Sequence, residues 1–220
     1  MTAGIEIERG WIDVELADEF PQLALHLSIV EAVPRRSPPE VRRRLRILSD
    51  RYTGGKAVNL RQEPIPWAYR VFFRQIGIDP DDRRTPPEEA ALERMRSGGF
   101  RSRNVLDDAL TIAVVETGVS VLALDADKVD GPLGLRLSRD RERLGGGEGR
   151  ALSARQLVLA DASDSLGVLF GDLAEGRGVG GATERMLLVA VQVKGIPEVS
   201  VEEALWMVSE VLETGREKRR

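Results

Sequence analysis

The most apolar part of the chain lies near its middle, in residues 104–131, and carboxylates stand at both of its ends. Asp107 and Asp108 precede the apolar run, and Asp125 and Asp127 follow it. An apolar run framed by fixed polar groups is typical of a binding pocket. It is also typical of an ordinary buried strand that enters and leaves a core, so the sequence leaves both interpretations open.

Alternation of apolar and polar positions predicts β-strands, because successive side chains of a strand point to opposite faces. Residues 105–115 are apolar without a clean period, so this segment is compatible with a buried helix or a strand. The segments predicted as strands are 5–14, 23–33, 119–124, 133–137, 156–160, 166–170 and 186–193.

Four helices are predicted where apolar residues at spacings of three and four follow a residue that commonly starts a helix. Ser37 stands where an N-cap is expected, and Thr85 lies three residues before Glu88, the spacing of a capping box. The first helix is expected to stop at Gly54-Gly55. The four predicted helices run from about 38 to 52, 67 to 76, 86 to 98 and 201 to 215.

Composition excludes several kinds of site. The chain has no cysteine, which excludes disulfides, thiolate nucleophiles and cysteine metal sites. His26 is the only histidine and lies among apolar neighbours, so a buried structural histidine is the favoured interpretation. The first residues carry acids where a signal peptide has its apolar core, and no run approaches the ~20 apolar residues of a membrane helix. We therefore predict a cytoplasmic protein without a membrane partner.

Charge is distributed unevenly along the chain. The formal net charge is −4, yet residues 35–103 contain sixteen Arg and one Lys against nine acids. A basic section in an acidic chain is typical of a surface that binds a polyanion, although solvated helix faces pointing in different directions explain it equally well. The candidate nucleic-acid contacts are Arg42 and Arg43 in the first predicted helix and Arg70 and Arg74 in the second.

The glycine-rich segment 175–183 does not match a dinucleotide-binding fingerprint, because its spacing is wrong and a predicted strand follows it. It can offer free backbone N–H groups to an anion, or it can be a flexible hairpin connection. No internal repeat or long polar linker divides the chain. We expect a single domain over residues 1–215 and a basic C-terminal tail over 216–220.

A series of short motifs resembles a known family. Over roughly residues 20–210 their order is similar to the B3/B4 domain of the bacterial phenylalanyl-tRNA synthetase β subunit, and above all to freestanding versions of that domain. The matching positions are Leu106-Asp107, 111–115, Gly118, the Asp-x-Asp-Lys-x-x-Gly motif at 125–131, Leu135-Arg136-Leu137, Leu159-Ala-Asp161 and Thr183.

This resemblance implies an α+β domain in three layers, a β-sandwich with flanking helices. Within the synthetase, the domain hydrolyses tRNA mischarged with tyrosine, so tRNA or another RNA is the implied partner and DNA is not. A shaped pocket and a positioned water beside the terminal ribose can carry such hydrolysis, so no metal or cofactor is expected.

The chain departs from the family pattern at its polar positions. Leu110 stands where the pattern has an asparagine, Leu122 where it has a histidine, and residues 187–191 lack the expected glutamate. The polar editing set is therefore not carried over, and no catalytic residue is assigned. We assign Asn104, Asp107, Asp125 and Thr183 to the substrate pocket, while Asp107 and Asp125 can equally be turn residues.

Three hypotheses of function remain open at this point. The first is a deacylase that hydrolyses mischarged aminoacyl-tRNA in trans. The second is a non-catalytic module that binds RNA or a protein partner and keeps the fold without the editing residues. The third is a small-molecule enzyme in which Asp107, Asp108 and Asp125 form a carboxylate cluster that holds a magnesium ion or acts as a general base. The sequence leaves the oligomeric state open.

Overall fold

The computed structural model describes residues 5–214, and the predicted tail at 216–220 lies outside them. Within these residues the chain forms helices and two four-stranded sheets, which confirms the predicted α+β class. The helices are α1 (Val14–Glu19), α2 (Pro39–Arg51), α3 (Gly54–Asn59), α4 (Pro64–Gln75), α5 (Pro86–Ser97), α6 (Val105–Thr117) and α7 (Glu198–Glu213). The strands are β1 (Glu8–Arg9), β2 (Trp11–Ile12), β3 (Ala24–Glu31), β4 (Val121–Asp125), β5 (Gly134–Leu137), β6 (Leu157–Ala160), β7 (Ser165–Val168) and β8 (Arg185–Gln192).

Most predicted elements are confirmed, and the exceptions have local causes. The ambiguous segment 105–115 is helical, because Asn104 caps it and Gly118 ends it with a φ of 75°. The first predicted helix does not simply stop at Gly54-Gly55, since Thr53 caps a new helix, α3, at this point. Ser37 caps no helix; its hydroxyl is bound to Asp108 instead.

The first sheet has the strand order β1-β3-β8-β4 and is antiparallel throughout. Strands β3 and β8 pair over eight residues, and directly opposite residues share a face of the sheet. His26 lies on the face that meets the start of α7, because its ring nitrogen Nε2 is 2.9 Å from Gln192 and the neighbouring Arg9 is paired with Glu198. The other face, with Leu25 and Leu27, is turned to the second sheet.

The second sheet has the order β2-β5-β6-β7, in which only the β2–β5 pair is parallel. Buried apolar residues of both sheets and of α6 and α7 form one large cluster, and α6 and α7 pack on each other and on the first sheet. Among residues 5–214, no helix is both long and apolar enough to cross a membrane.

His26 is buried at 1% exposure, as the sequence predicted for a structural histidine. Arg9 lies 2.9 Å from its Nε2, and Nδ1 has no hydrogen-bond partner within residues 5–214. Burial lowers the pKa of His26 below its usual value, with Arg9 acting in the same direction and the hydrogen bond to Gln192 opposing it. The ring therefore stays neutral near neutral pH.

Asp108 is buried in the first turn of α6 and joins three parts of the chain. Its carboxylate accepts hydrogen bonds from the hydroxyls of Ser37 and Ser102, each at 2.5 Å, and from the backbone N–H of Arg103 at 2.9 Å. A buried carboxylate is costly unless such donors surround it. Asp108 therefore holds the segment before α2 against the segment before α6.

Arg136 of β5 is also buried and binds Glu142 in the following loop. Two guanidinium nitrogens donate to the two carboxylate oxygens at 2.7 and 2.6 Å, and the backbone N–H of Arg139 donates to the same carboxylate at 2.6 Å. These contacts, led by the hydrogen bond from Arg136, lower the pKa of Glu142 to about 2. The pair anchors the otherwise polar loop to the second sheet.

We expect Asp108→Ala to lower the free energy of unfolding by roughly 2–4 kcal/mol, because it leaves the buried hydroxyl of Ser37 and two part-buried donors, of Ser102 and Arg103, without an acceptor. The adjacent Asp107→Ala is the matched control. It removes a partly buried carboxylate that interacts with the start of α6 and should cost about 1 kcal/mol or less. Urea unfolding of both variants measures the difference, and equal losses would contradict the role given to Asp108.

Because the pKa of Glu142 is depressed, its contribution to stability is present above its ordinary pKa and is lost as the pH falls toward 2. A shift from 4.5 to about 2 corresponds to about 3 kcal/mol. Urea unfolding should show a large deficit of Glu142→Gln against the parent at pH 7 and a much smaller one near pH 2. Glu148→Gln, in the same loop, should show no such dependence, and a deficit that persists in acid would refute the assignment.

Candidate functional site

Asn104 and Asp107, predicted as pocket residues, form the start of α6. The side-chain oxygen of Asn104 accepts from the backbone N–H of Asp107, and its amide nitrogen donates to the Asp107 carboxylate, both at 2.9 Å. This is helix capping, and it satisfies N–H groups that the helix itself leaves free.

Asp125 and Thr183, the other two predicted pocket residues, are in direct contact. The Thr183 hydroxyl donates to Asp125 at 2.8 Å, and Lys128 lies 3.2 Å from the same carboxylate. Burial alone would raise the pKa of Asp125, but the bonds from Thr183 and Lys128 outweigh it and lower that pKa. The backbone N–H of Asp125 donates to the carbonyl of Arg177, so the glycine-rich segment closes the turn after β4.

The four predicted pocket residues therefore form two hydrogen-bonded pairs, one at the start of α6 and one at the end of β4. Among residues 5–214, no hydrogen bond links one pair to the other. The three carboxylates of the third hypothesis do not converge either, because no group of three or more acidic or histidine side chains in the described part of the chain could hold a metal ion.

Arg70 is not available to a nucleic acid, which corrects the expectation for this residue. Its side chain is 5% exposed and lies 2.7 Å from both Glu88 and Asp81. Burial alone would lower the pKa of Arg70, but its two acidic partners raise it. The guanidinium ties α4 to α5 and to the turn between them.

The other three predicted arginines lie on two helices, α2 and α4. Arg43 is exposed on α2, whereas the Arg42 side chain is half-buried and its Nε has no hydrogen-bond partner in the described part of the chain. Arg74 is exposed on α4, 6.0 Å from the centre of the Trp67 ring, and makes a cation–π contact. Trp67 itself is 51% exposed.

A cavity of about 560 Å³ lies between α5 and the edge of the first sheet, and we call it the α5–β4 cleft. Its floor is apolar and contains Leu122 of β4, Val191 of β8 and Phe170. Leu122 stands at the position where the family pattern has a histidine. The polar residues that line the cleft are Arg84, Glu89, Glu93, Arg103 and Ser120.

Phe170 holds a strained conformation at the floor of this cleft. Its φ of 56° lies in the left-handed region that residues other than glycine seldom adopt. The Phe73 and Tyr69 rings pack against it at 5.1 and 5.5 Å, and Arg83 donates a hydrogen bond to its carbonyl oxygen. Strained residues of this kind are concentrated at functional sites.

Tyr69 fixes the wall behind the cleft. Its buried hydroxyl donates to the carbonyl of Val191 at 2.9 Å and accepts from the backbone N–H of Ser120 at 3.3 Å. Burial raises the pKa of Tyr69, so the hydroxyl remains protonated. One side chain of α4 thereby connects β8 to the start of β4, the two strands that form the floor.

Four arginines lie on two segments that Asp108 holds together, and one of them, Arg103, lines the cleft. The segment with Arg35 and Arg36 lies beside the segment with Arg101 and Arg103, because Asp108 binds both and the Arg35 carbonyl accepts from the backbone N–H of Val105 at 2.9 Å. Arg36, Arg101 and Arg103 are exposed. We call these four arginines the basic rim; Arg103 belongs to the rim and also lines the cleft.

Sequence reasoning did not single out the residues of the cleft. Arg84 and Arg103 were counted in the basic section without a role, and Leu122 was noted only as a departure from the family. Glu89 and Glu93 lie one helical turn apart on α5, so they share a face of that helix. The sequence shows that spacing, but it does not show which part of the chain lies opposite this face of the helix.

Comparisons with known proteins identify the family. Residues 68–197 match the family model described as the B3/4 domain. The phenylalanine–tRNA ligase β subunit of Tropheryma whipplei is 31% identical over 142 residues, which cover 62% of this chain and 14% of that one. The corresponding subunit of Methylococcus capsulatus is 35% identical over 101 residues, which cover 44% and 12%.

A solved structure shows a weaker likeness. The N-terminal fragment of the phenylalanyl-tRNA synthetase β subunit from Pyrococcus horikoshii aligns with 93% of this chain and 52% of that one, at 15% identity and a TM-score of 0.43. The chain thus spans only a small part of the two bacterial subunits, at most 14% of their length. Since the family model covers more than half of the residues, the chain belongs to the B3/4 domain family.

Proposed function

We propose that this protein binds the acceptor end of a tRNA, with the basic rim on the phosphates and the α5–β4 cleft around the group attached to the terminal ribose. The relatives are named as subunits of a tRNA ligase, which supports tRNA as the partner. The observation that carries the proposal is the position of Arg103, which lies in the rim and in the cleft at once.

The chemistry of the cleft favours a bound group that is largely apolar. Leu122, Val191 and Phe170 form its floor and offer apolar side-chain surface where the family pattern would place an imidazole. A pocket that rejects an analogue strongly does so through buried polar groups that the analogue leaves unpaired. Without such groups on its floor, this cleft would discriminate by size and shape.

Hydrolysis of the bound ester is the second candidate function, and two carboxylates that line the cleft favour it. Glu89 and Glu93 line the cleft from α5, and Glu93 lies 3.6 Å from Arg103. A carboxylate next to a bound ester can accept a proton from the attacking water, and a positioned water needs few further groups.

Replacing both Arg101 and Arg103 by Gln should weaken tRNA binding at least about tenfold near 0.1 M salt and should reduce the slope of log K against log salt by up to about two. The fold should survive, because Arg103 binds Asp108 through its backbone N–H and not through its side chain. The matched control is Arg139→Gln with Arg141→Gln, two exposed arginines of the distant loop with the same spacing. Filter binding or fluorescence anisotropy across a salt series measures the effect, and equal behaviour of the two double variants would refute the proposal.

If the protein hydrolyses the bound ester, amino acid should be released from mischarged tRNA faster in its presence than in buffer alone. Glu89→Gln combined with Glu93→Gln should slow this release by about 100-fold or more while tRNA binding persists, since general-base catalysis contributes roughly that much. Release of radiolabelled amino acid measures the rate. If the parent protein releases none, hydrolysis is wrong and the binding function stands on the salt-dependent measurement alone.

A further inference from the structure

A second cavity lies on another side of the helical layer and shares no lining residue with the α5–β4 cleft. It has a volume of about 280 Å³ and opens between the end of α6 and the start of α4. Its walls are mostly apolar, and we call it the Tyr52 cavity. The apolar residues that line it include Leu60, Ile65, Pro66, Pro87, Val114 and Val115.

Tyr52 contributes a polar group to the wall of this cavity. The side chain follows α2, is only 3% exposed and packs edge-on against Phe100 at 5.6 Å. Among residues 5–214, the fully buried polar atoms that lack a hydrogen-bond partner do not include the Tyr52 hydroxyl oxygen, so this oxygen is open to the cavity that the side chain lines. Burial, with a smaller effect of Glu63, raises the pKa of Tyr52 to about 12, so the hydroxyl keeps its proton and can donate it.

Two side chains of opposite charge line this cavity. Lys56 lies 5.4 Å from the centre of the Tyr52 ring and lines the cavity, as does Glu63. Neither side chain forms an ion pair with a described residue. Glu116, the other acid of the lining, is already bound by Arg44 at 2.6 Å. The cavity therefore offers one free cation and one free carboxylate among its described residues.

The end of α6 adds partial negative charge to the lining of the cavity. Residues 115–117, its last turn, line the cavity, and the carboxyl end of a helix carries a partial negative charge that favours cations. A ligand ammonium is thus favoured beside Glu63 and the end of α6. A ligand carboxylate is favoured beside Lys56 and the Tyr52 hydroxyl, where it gains a charge-assisted hydrogen bond.

We propose that the Tyr52 cavity binds a small zwitterion with an apolar side group, the chemistry of a free α-amino acid. Its ammonium group lies at Glu63, its carboxylate at Lys56 and Tyr52, and its side chain against the apolar walls. This site does not depend on the proposed tRNA function, because the cleft and the basic rim contribute no residue to it.

Isothermal titration of the full chain with leucine, valine and phenylalanine tests the proposal. We expect saturable binding by at least one of them at concentrations up to about 10 mM. Leucinamide, which lacks the carboxylate, and isocaproate, which lacks the ammonium group, should each bind at least about tenfold more weakly than leucine if leucine is the ligand.

Two variants locate the binding. Tyr52→Phe keeps the ring and removes only the hydroxyl, and Glu63→Gln removes only the charge; each should weaken binding about five- to tenfold. Glu213→Gln, at a similarly half-buried glutamate of α7, should bind as the parent does. Arg103→Gln should also leave binding unchanged, which separates this test from the test of tRNA binding.

No binding of any of the three amino acids overturns the proposal. Equal binding of leucine and its two analogues overturns it as well, because the zwitterion would then play no part. So does unchanged binding in both Tyr52→Phe and Glu63→Gln, provided that circular dichroism shows both variants folded.

Discussion

The arrangement of this protein depends on the burial of one carboxylate, that of Asp108. Removing a carboxylate from water costs several kcal/mol unless hydrogen bonds and favourable dipoles replace the hydration. Asp108 obtains both, since it lies in the first turn of α6 and accepts from Ser37, Ser102 and the backbone of Arg103. Two arginine-bearing segments that are distant in sequence must therefore lie side by side, and the proposed approach of an RNA end follows from this contact.

The same helix layer and the same sheet carry both cavities, yet the two differ in chemistry. The α5–β4 cleft has an apolar floor and charges at its rim, so its charged groups meet a ligand in solvent, where they act at long range and are screened by salt. In the Tyr52 cavity the buried Tyr52 side chain stands among mostly apolar walls with Lys56 and Glu63 beside it, so a hydrogen bond made there meets less competition from water. The first suits a long polyanion, and the second suits a small molecule.

Short apolar runs predicted most strands even where, as in β6 and β7, both faces are buried. The spacing of Thr85 and Glu88 predicted the capping box that starts α5. Sequence periodicity could not decide α6, since a helix packed on several sides loses its apolar stripe. It also misplaced Arg70, whose partner Glu88 lies 18 residues away and becomes a neighbour only in the folded chain. The cleft residues were hidden for the same reason, because α5, β4 and Phe170 meet only through tertiary packing.

The eight-residue pairing of β3 with β8 has a consequence for how sequences of this family can diverge. A strand alternates its side chains with a period of two, so one residue inserted into β8 would exchange the residues facing the helices with those facing the second sheet. Val191 would then leave the cleft and Gln192 would turn toward it. Length changes in β8 should accordingly be purged by selection.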